Sequence, residues 1–158
     1  MLNLTLGQGD LLVTPLQVAR MTAAIANGGE LVIPKLVKSP QLVYPPAPKI
    51  ELPPRIWKSL QRAMYSAVNG TRGTGFRARG PGGRIHGKTG SAQNPHGEAH
   101  SWFTGYVEIP SGPSLVVTVL VEQGGLGSRI AAPIAGQVFQ KYIALYQPIL
   151  EEDIAATN

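Results

Sequence analysis

Gly87-Lys88-Thr89-Gly90-Ser91 decides how the chain is read, because two incompatible chemistries claim this one cationic, hydroxyl-bearing stretch. Taken with Gly82, residues 87–89 satisfy the phosphate-loop pattern G-x-x-x-x-G-K-[ST]. That pattern demands a buried strand before the glycines and a helix after Lys88-Thr89, since the phosphates sit at the helix N-terminus. Neither flank complies. Phe76-Arg-Ala-Arg-Gly-Pro-Gly-Gly83 is no buried strand, and Gly90-Ser-Ala-Gln-Asn-Pro95 puts a glycine and a proline where the first helical turns should be. On a strand edge lining a cleft, by contrast, Lys88 with the hydroxyls of Thr89 and Ser91 suits a carboxylate through charge-assisted hydrogen bonds. Period-two alternation sends Lys88 and Gly90 to one side and Thr89 and Ser91 to the other, so twist or local distortion must reconcile them at one ligand.

Outward from this stretch, the pattern predicts strands over about 85 to 93, 102 to 109 and 114 to 122, with Pro110-Ser-Gly-Pro113 turning the last two into a hairpin. From Gly70 to Gly87, seven glycines with Arg72, Arg77, Arg79 and Arg84 read as a loop. Its arginines solubilise the loop, the plainer reading, or steer an anionic polymer. Upstream, Thr14-Pro-Leu-Gln17 opens a helix with a capping box and proline at the first position. That helix runs to Asn27, is apolar on most faces and is expected to be buried; Gly28-Gly29 ends it.

Leu31 to Ile33 is a candidate short strand, and the prolines at 40, 45, 46, 48, 53 and 54 impose an extended surface connection over 38 to 52. Ile56, Trp57, Leu60, Ala63, Met64, Ala67 and Val68 mark an amphipathic helix closed by Asn69-Gly70. A last helix, 132 to 146, carries an apolar stripe of Ile134, Val138, Phe139, Tyr142, Ile143 and Tyr146 suited to covering a sheet. The tail after Pro148 is expected to fray. Trp57 and Met64 read as core, and Trp102 and Phe103 as strand residues beneath the last helix.

The 158 residues, 43% hydrophobic and 15% charged, are enough for one core and too apolar for general disorder. A formal charge of +5 favours anionic partners without implying nucleic acid. The absence of cysteine excludes thiol catalysis, zinc-thiolate sites and disulfides. Neither a signal peptide nor a run of 18 apolar residues is expected. His96-Gly-Glu-Ala-His100 lacks the Glu directly after the first His, and Pro95 and Gly97 make a loop of it, so no metal site is expected.

The K-T-G triplet has company. Gly7-Gln-Gly9-Asp, Thr14-Pro-Leu-Gln-Val-Ala19, Ala26-Asn-Gly-Gly29, His86-Gly-Lys-Thr-Gly-Ser-Ala-Gln93, His100-Ser-Trp-Phe-Thr-Gly-Tyr106 and Ala131-Ala-Pro-Ile134 occur in the order found in class B penicillin-binding proteins. Over about residues 4 to 147 the chain resembles the C-terminal part of that transpeptidase domain. The resemblance implies an α/β fold, the C-terminal portion of the penicillin-recognising fold, with an antiparallel sheet flanked by helices. It also implies one domain portion over 1–147 with a tail over 148–158.

The implied reaction is D,D-transpeptidation of peptidoglycan stem peptides ending in D-Ala-D-Ala, with β-lactams as mimics and no cofactor. Lys88 would supply positive potential and order the proton relay, Thr89 and Ser91 would hold the substrate carboxylate, and Gly90 would keep the edge clear. The Ser91 backbone N–H would be an oxyanion donor. Implied partners are the N-terminal part of the same domain and other cell-wall synthesis proteins, outside a cytoplasmic membrane to which an N-terminal helix anchors the parent.

The family's S-x-x-K and S-x-N boxes occur nowhere in the 158 residues. No residue three before a lysine is serine, and none two before an asparagine. The chain alone is therefore expected to form no acyl-enzyme and to be one wall of an active site. The alternatives are a non-catalytic interaction module of the same fold and, less well supported, a nucleotide binder.

Overall fold

The computed structural model describes residues 7–9, 11–37, 41, 43–80, 84–109 and 112–156, with side chains of the last helix described as far as Tyr146. Helix α1, Pro15–Asn27, begins as expected: the Thr14 hydroxyl accepts from the Gln17 N–H while the Gln17 side chain accepts from the Thr14 N–H. It ends at Gly28 in the left-handed region, φ 79°. The expectation of burial on most faces is corrected. Only Thr22 and Ala24 are buried, and Leu16 and Met21 are about half exposed, because within this chain α1 meets the sheet along one face only.

No strand forms at residues 31–33. Glu30 and Lys49 make one isolated antiparallel bridge, with the Leu31 N–H donating to Pro48 O, and the proline-rich partner cannot supply the N–H groups of a longer ladder. Over residues 43–52 the connection forms neither helix nor strand apart from that bridge; Pro40 lies outside the described residues.

Helix α2, Pro54–Asn69, buries Trp57, Met64 and Val68, while Ile56 and Leu60 stay exposed, so its buried stripe is rotated relative to the predicted one. After it, residues 70–80 form the expected loop around a short 3-10 turn, Phe76–Ala78, but the strand that follows begins at Arg84. Two of the loop's arginines have structural partners. Arg79 donates to Val68 O and Gly70 O, capping the end of α2 with a cation, and Arg77 donates to Ser128 O.

Strands β1, Arg84–Ala92, β2, His100–Glu108, and β3, Leu115–Val121, form an antiparallel sheet in the order β1-β2-β3. Pro110 and Ser111 of the predicted hairpin lie outside the described residues, but the β2–β3 pairing it implied is present. Thr89, Phe103 and Val119 share one cross-strand row, and Lys88, Thr104 and Thr118 the adjacent row on the opposite face.

Helix α3, Ala131–Ala156, covers the first face. Phe103, Ile85 and Val107 pack with Ala132, Ala135, Phe139 and Ile143, joined by Val68 and Ala78. The predicted stripe is corrected: Ile134 and Val138 are exposed, and small residues lead the contact instead. A side chain at Gly136 would strike Arg77 O at 2.7 Å, so the helix lies against the 3-10 turn at a distance only glycine permits. The helix also crosses the expected boundary at Pro148, since the Ala-, Leu- and Glu-rich sequence beyond favours helix despite one lost N–H.

The second face is covered by α1 and α2. Phe103 lies beneath α3 as predicted, but alternation sends Trp102 to the opposite face, correcting its assignment. There Thr22 joins α1 to the sheet through Thr104, 2.7 Å, and Thr104 to Thr118, 2.8 Å. Thr22 also donates to Val18 O, which gives the chain one direction, from Thr118 to Thr104 to Thr22 to Val18. An antiparallel sheet with helices on both faces is the architecture expected from the sequence.

Candidate active site

Lys88, Thr89, Gly90 and Ser91 lie in the second half of β1, an edge strand of the sheet. A strand continuing through Ala92 leaves no helix N-terminus after Lys88-Thr89, so the phosphate-loop geometry does not form. The alternation predicted from the sequence holds. Lys88 is exposed, whereas Thr89 is buried on the other face.

What unites them is the edge. In an antiparallel pair, alternate residues turn their backbone groups away from the partner strand, and on β1 these are the odd-numbered ones. Ile85 O accepts from the Asn69 amide, 2.8 Å, Thr89 O from Lys88 Nζ, and Ser91 O from Gln8 Nε2, 3.1 Å. Lys88 thus bends round the strand to bring its ammonium to the edge at Thr89, and the Ser91 N–H faces the same side as its carbonyl.

The hydroxyls are held from the loops. Thr89 Oγ1 lies 2.8 Å from Thr74 Oγ1, on the loop after α2. Two hydroxyls sharing one hydrogen bond leave one O–H for a further acceptor. Ser91 Oγ accepts the Gly127 N–H, 3.2 Å, which likewise leaves its own O–H to donate. Gly127 presses on Gly90: a Cβ at residue 127 would overlap Gly90 O and Trp102 O. A Cβ at Gly90 would meet only Trp102 Cβ, 3.3 Å away, so its glycine leaves the strand surface low. The fully buried Ser101 hydroxyl accepts the Ala131 N–H at the start of α3, fixing that helix beside the Ser91–Ser101 pair.

Thr74, Gln8 and Gly127 are the members that sequence reasoning missed. Gln8 was legible only as part of a family run, and Thr74 and Gly127 carry no local signal because they arrive through loops. His86, on the Lys88 face, is buried: its Nδ1 lies 2.9 Å from Gln61 O and 3.0 Å from Tyr106 Oη, its ring stacks on Tyr106, and Tyr65 meets it edge-on. Gln61 O can only accept, so Nδ1 carries the hydrogen. Burial, with the nearby Glu108 carboxylate adding to it, pushes the Tyr106 hydroxyl well above the usual tyrosine range.

His100 Nδ1 accepts from the Gln123 N–H, 3.0 Å, a structural use of that ring, and His96 is exposed. A separate cavity of ≈ 470 Å³ between α1, residues 49–54 and α2, lined by Trp57, Lys49 and Lys58 among others, shares no lining residue with 87–91. No helix of the described residues is long and apolar enough to cross a membrane.

The chain is 34% identical to the peptidoglycan D,D-transpeptidase MrdA of Haemophilus influenzae, over 96% of the chain and 27% of that protein. Among solved structures it is similar to Pseudomonas aeruginosa PBP2 in complex with WCK 5153, with TM-score 0.78 and 35% identity, covering 89% of this chain and 32% of that one. Penicillin-binding protein A of Mycobacterium tuberculosis, an imipenem acyl-enzyme complex, matches with TM-score 0.66 and 27% identity over 86% of this chain and 32% of that one. The chain therefore spans between a quarter and a third of the length of these relatives. The family model described as the penicillin binding protein transpeptidase domain matches residues 2–140, across all three strands and the first part of α3. A K-T-G stretch on an open strand edge, set in this fold and this order of motifs, has one consistent source: the chain belongs to the penicillin-binding-protein transpeptidase domain family.

Proposed function

We propose that this chain forms the K-T-G wall of a D,D-transpeptidase active site that cross-links peptidoglycan stem peptides and is acylated by β-lactams. The observation that carries the reading is the convergence at the β1 edge of the Lys88 ammonium, on Thr89 O, with the backbone of Ser91. The substrate's terminal carboxylate lies at Lys88, Thr89 and Ser91, taking the O–H groups that the Thr74–Thr89 pair and Ser91 have left to give. The peptide runs along the edge by strand addition. A serine from the rest of the domain attacks the carbonyl of the penultimate D-Ala, and the Ser91 N–H donates to the oxyanion that forms. The C–N bond breaks, terminal D-Ala leaves with a proton, and an amine of a second stem peptide takes the acyl group.

That serine and its lysine belong to the S-x-x-K segment absent from these 158 residues. The parent acts outside the cytoplasmic membrane, with the remainder of the domain and other cell-wall proteins as partners, in keeping with the relatives named as peptidoglycan D,D-transpeptidases. Labelling with a fluorescent penicillin tests the reading. The isolated chain takes up no label, and the domain completed with its upstream segment is acylated stoichiometrically. Acylation of the chain alone, or an inert completed domain, refutes it, the second result favouring a non-catalytic module.

A further inference from the structure

Gln8 holds the edge of β1 from a distant part of the chain. It stands between Gly7, φ 73°, and Gly9, φ 96°, two left-handed positions that make a turn other residues would strain. Its carboxamide uses both ends: Nε2 donates to Ser91 O, 3.1 Å, and Oε1 accepts from the Gln93 N–H, 3.2 Å. Ser91 O and the Gln93 N–H are two edge groups that an extended peptide added antiparallel to β1 would bond, the first through the N–H of one residue and the second through the carbonyl of the residue two before it. The side-chain amide therefore does for the edge what a bound backbone would do.

The proposed function gives the edge a direction, and the inference rests on that reading. With the substrate carboxylate at Lys88 and Thr89 and the scissile carbonyl at the Ser91 N–H, the N-terminal remainder of the peptide runs on towards Gln93. It meets the groups Gln8 occupies. We propose that Gln8 is a specificity-determining residue of the strand-edge site, its carboxamide standing in for the backbone amides of an extended peptide and leaving Ser91 O and the Gln93 N–H when such a peptide binds. In the free protein it also satisfies an edge that would otherwise invite pairing with another chain. The ligand must displace it, so the apparent affinity is lowered by the fraction of molecules in which the edge is already filled.

The test uses the full-length protein, selectively ¹⁵N-labelled at glutamine, and an N-acetylated tripeptide ending in D-Ala-D-Ala as the probe. On saturation the Gln8 side-chain NH₂ resonances of the wild type move to solvent-exposed positions and the Gln93 backbone N–H shifts with them. Gln8→Met, which keeps the bulk but cannot bond the edge, and Gln8→Ala both lower the peptide's KM about three- to tenfold, as expected for removing one or two competing neutral hydrogen bonds. The kcat stays the same. Gln8 resonances that stay in place at saturation overturn the inference, as does a KM that is unchanged or raised in both variants. If the wild type neither binds the tripeptide nor takes up fluorescent penicillin, the transpeptidase reading fails and this inference fails with it. Penicillin labelling of a wild type whose Gln8 resonances do not respond to the peptide overturns the inference alone.

Discussion

The residue before Lys88 is a glycine for a reason that lies across the sheet, and replacing it makes a quantitative test of the packing behind the site. A Cβ on Gly87 would overlap Cζ of Phe103 and stand 2.9 Å from its Cε2. Since carbon atoms rest at about 3.5–4.0 Å, the ring would have to retreat by roughly 1 Å. It has nowhere to go. Phe103 is wholly buried, Phe139 meets it edge-on at 6.4 Å between centroids, and its Cε1 and Cε2 already reach towards Gly105 and Gly75.

Gly87→Ala should therefore cost about 2–3 kcal/mol, the upper part of the range for overpacking, even though it stiffens the unfolded chain. Phe103→Leu alone should cost about 1–2 kcal/mol through lost volume. If the ring is the obstacle, the alanine becomes nearly neutral once Phe103→Leu has removed that ring, and the double variant falls short of the summed losses by about 2–3 kcal/mol. Urea unfolding followed by the fluorescence of Trp57 and Trp102 measures all four corners of the cycle. Losses that add to within about 0.5 kcal/mol would show that Phe103 is not what excludes a side chain from position 87.

Three further outcomes follow from the geometry. Thr22→Val keeps the shape of a wholly buried side chain but leaves the Thr104 O–H without its acceptor; it should cost about 1–3 kcal/mol by thermal or urea unfolding, with little added by Thr104→Val. Tyr106 has a folded pKa raised above the unfolded value of about 10, so the folded state keeps its proton longer. The stability this represents is present below pH 10 and is lost as pH rises above it, by up to about 1.4 kcal/mol per unit, and Tyr106→Phe should remove that part of the slope in melts across pH 9–11. Lys88→Met in the completed domain should lower the rate of penicillin acylation by about 10²-fold or more while leaving the melting temperature nearly unchanged, because the side chain is exposed; an unaltered rate would remove Lys88 from the proposed machinery.

Local chemistry made much of the fold legible. The start of α1 was readable because Thr14, Pro15 and Gln17 satisfy that helix's free N–H groups among themselves, and the strands because β-branched runs alternate with turn residues. The errors fell where partners decide. Which stripe of α2 and α3 is buried depends on what the helix leans on, and small residues such as Ala132, Ala135 and Gly136 win that contact by allowing close approach although they carry little hydrophobic signal. An α1 apolar on most faces looked internal, yet the elements of this chain cover one side of it.

The sequence by itself determined that Gly87-Lys88-Thr89-Gly90-Ser91 lies on a strand, because the glycines and prolines around it forbid a phosphate-binding helix, and it determined the alternation that parts Lys88 from Thr89 and Ser91. Only the tertiary structure decided how they meet. A side chain's face is a property of the strand, but an edge is a property of the sheet. It is because β1 has no neighbour on that side within the described sheet that Lys88 can fold round to Thr89 O, that Gln8 can arrive from eighty-three residues away to hold Ser91 O, and that Thr74 and Gly127 can close on the hydroxyls from loops whose positions the local pattern does not encode.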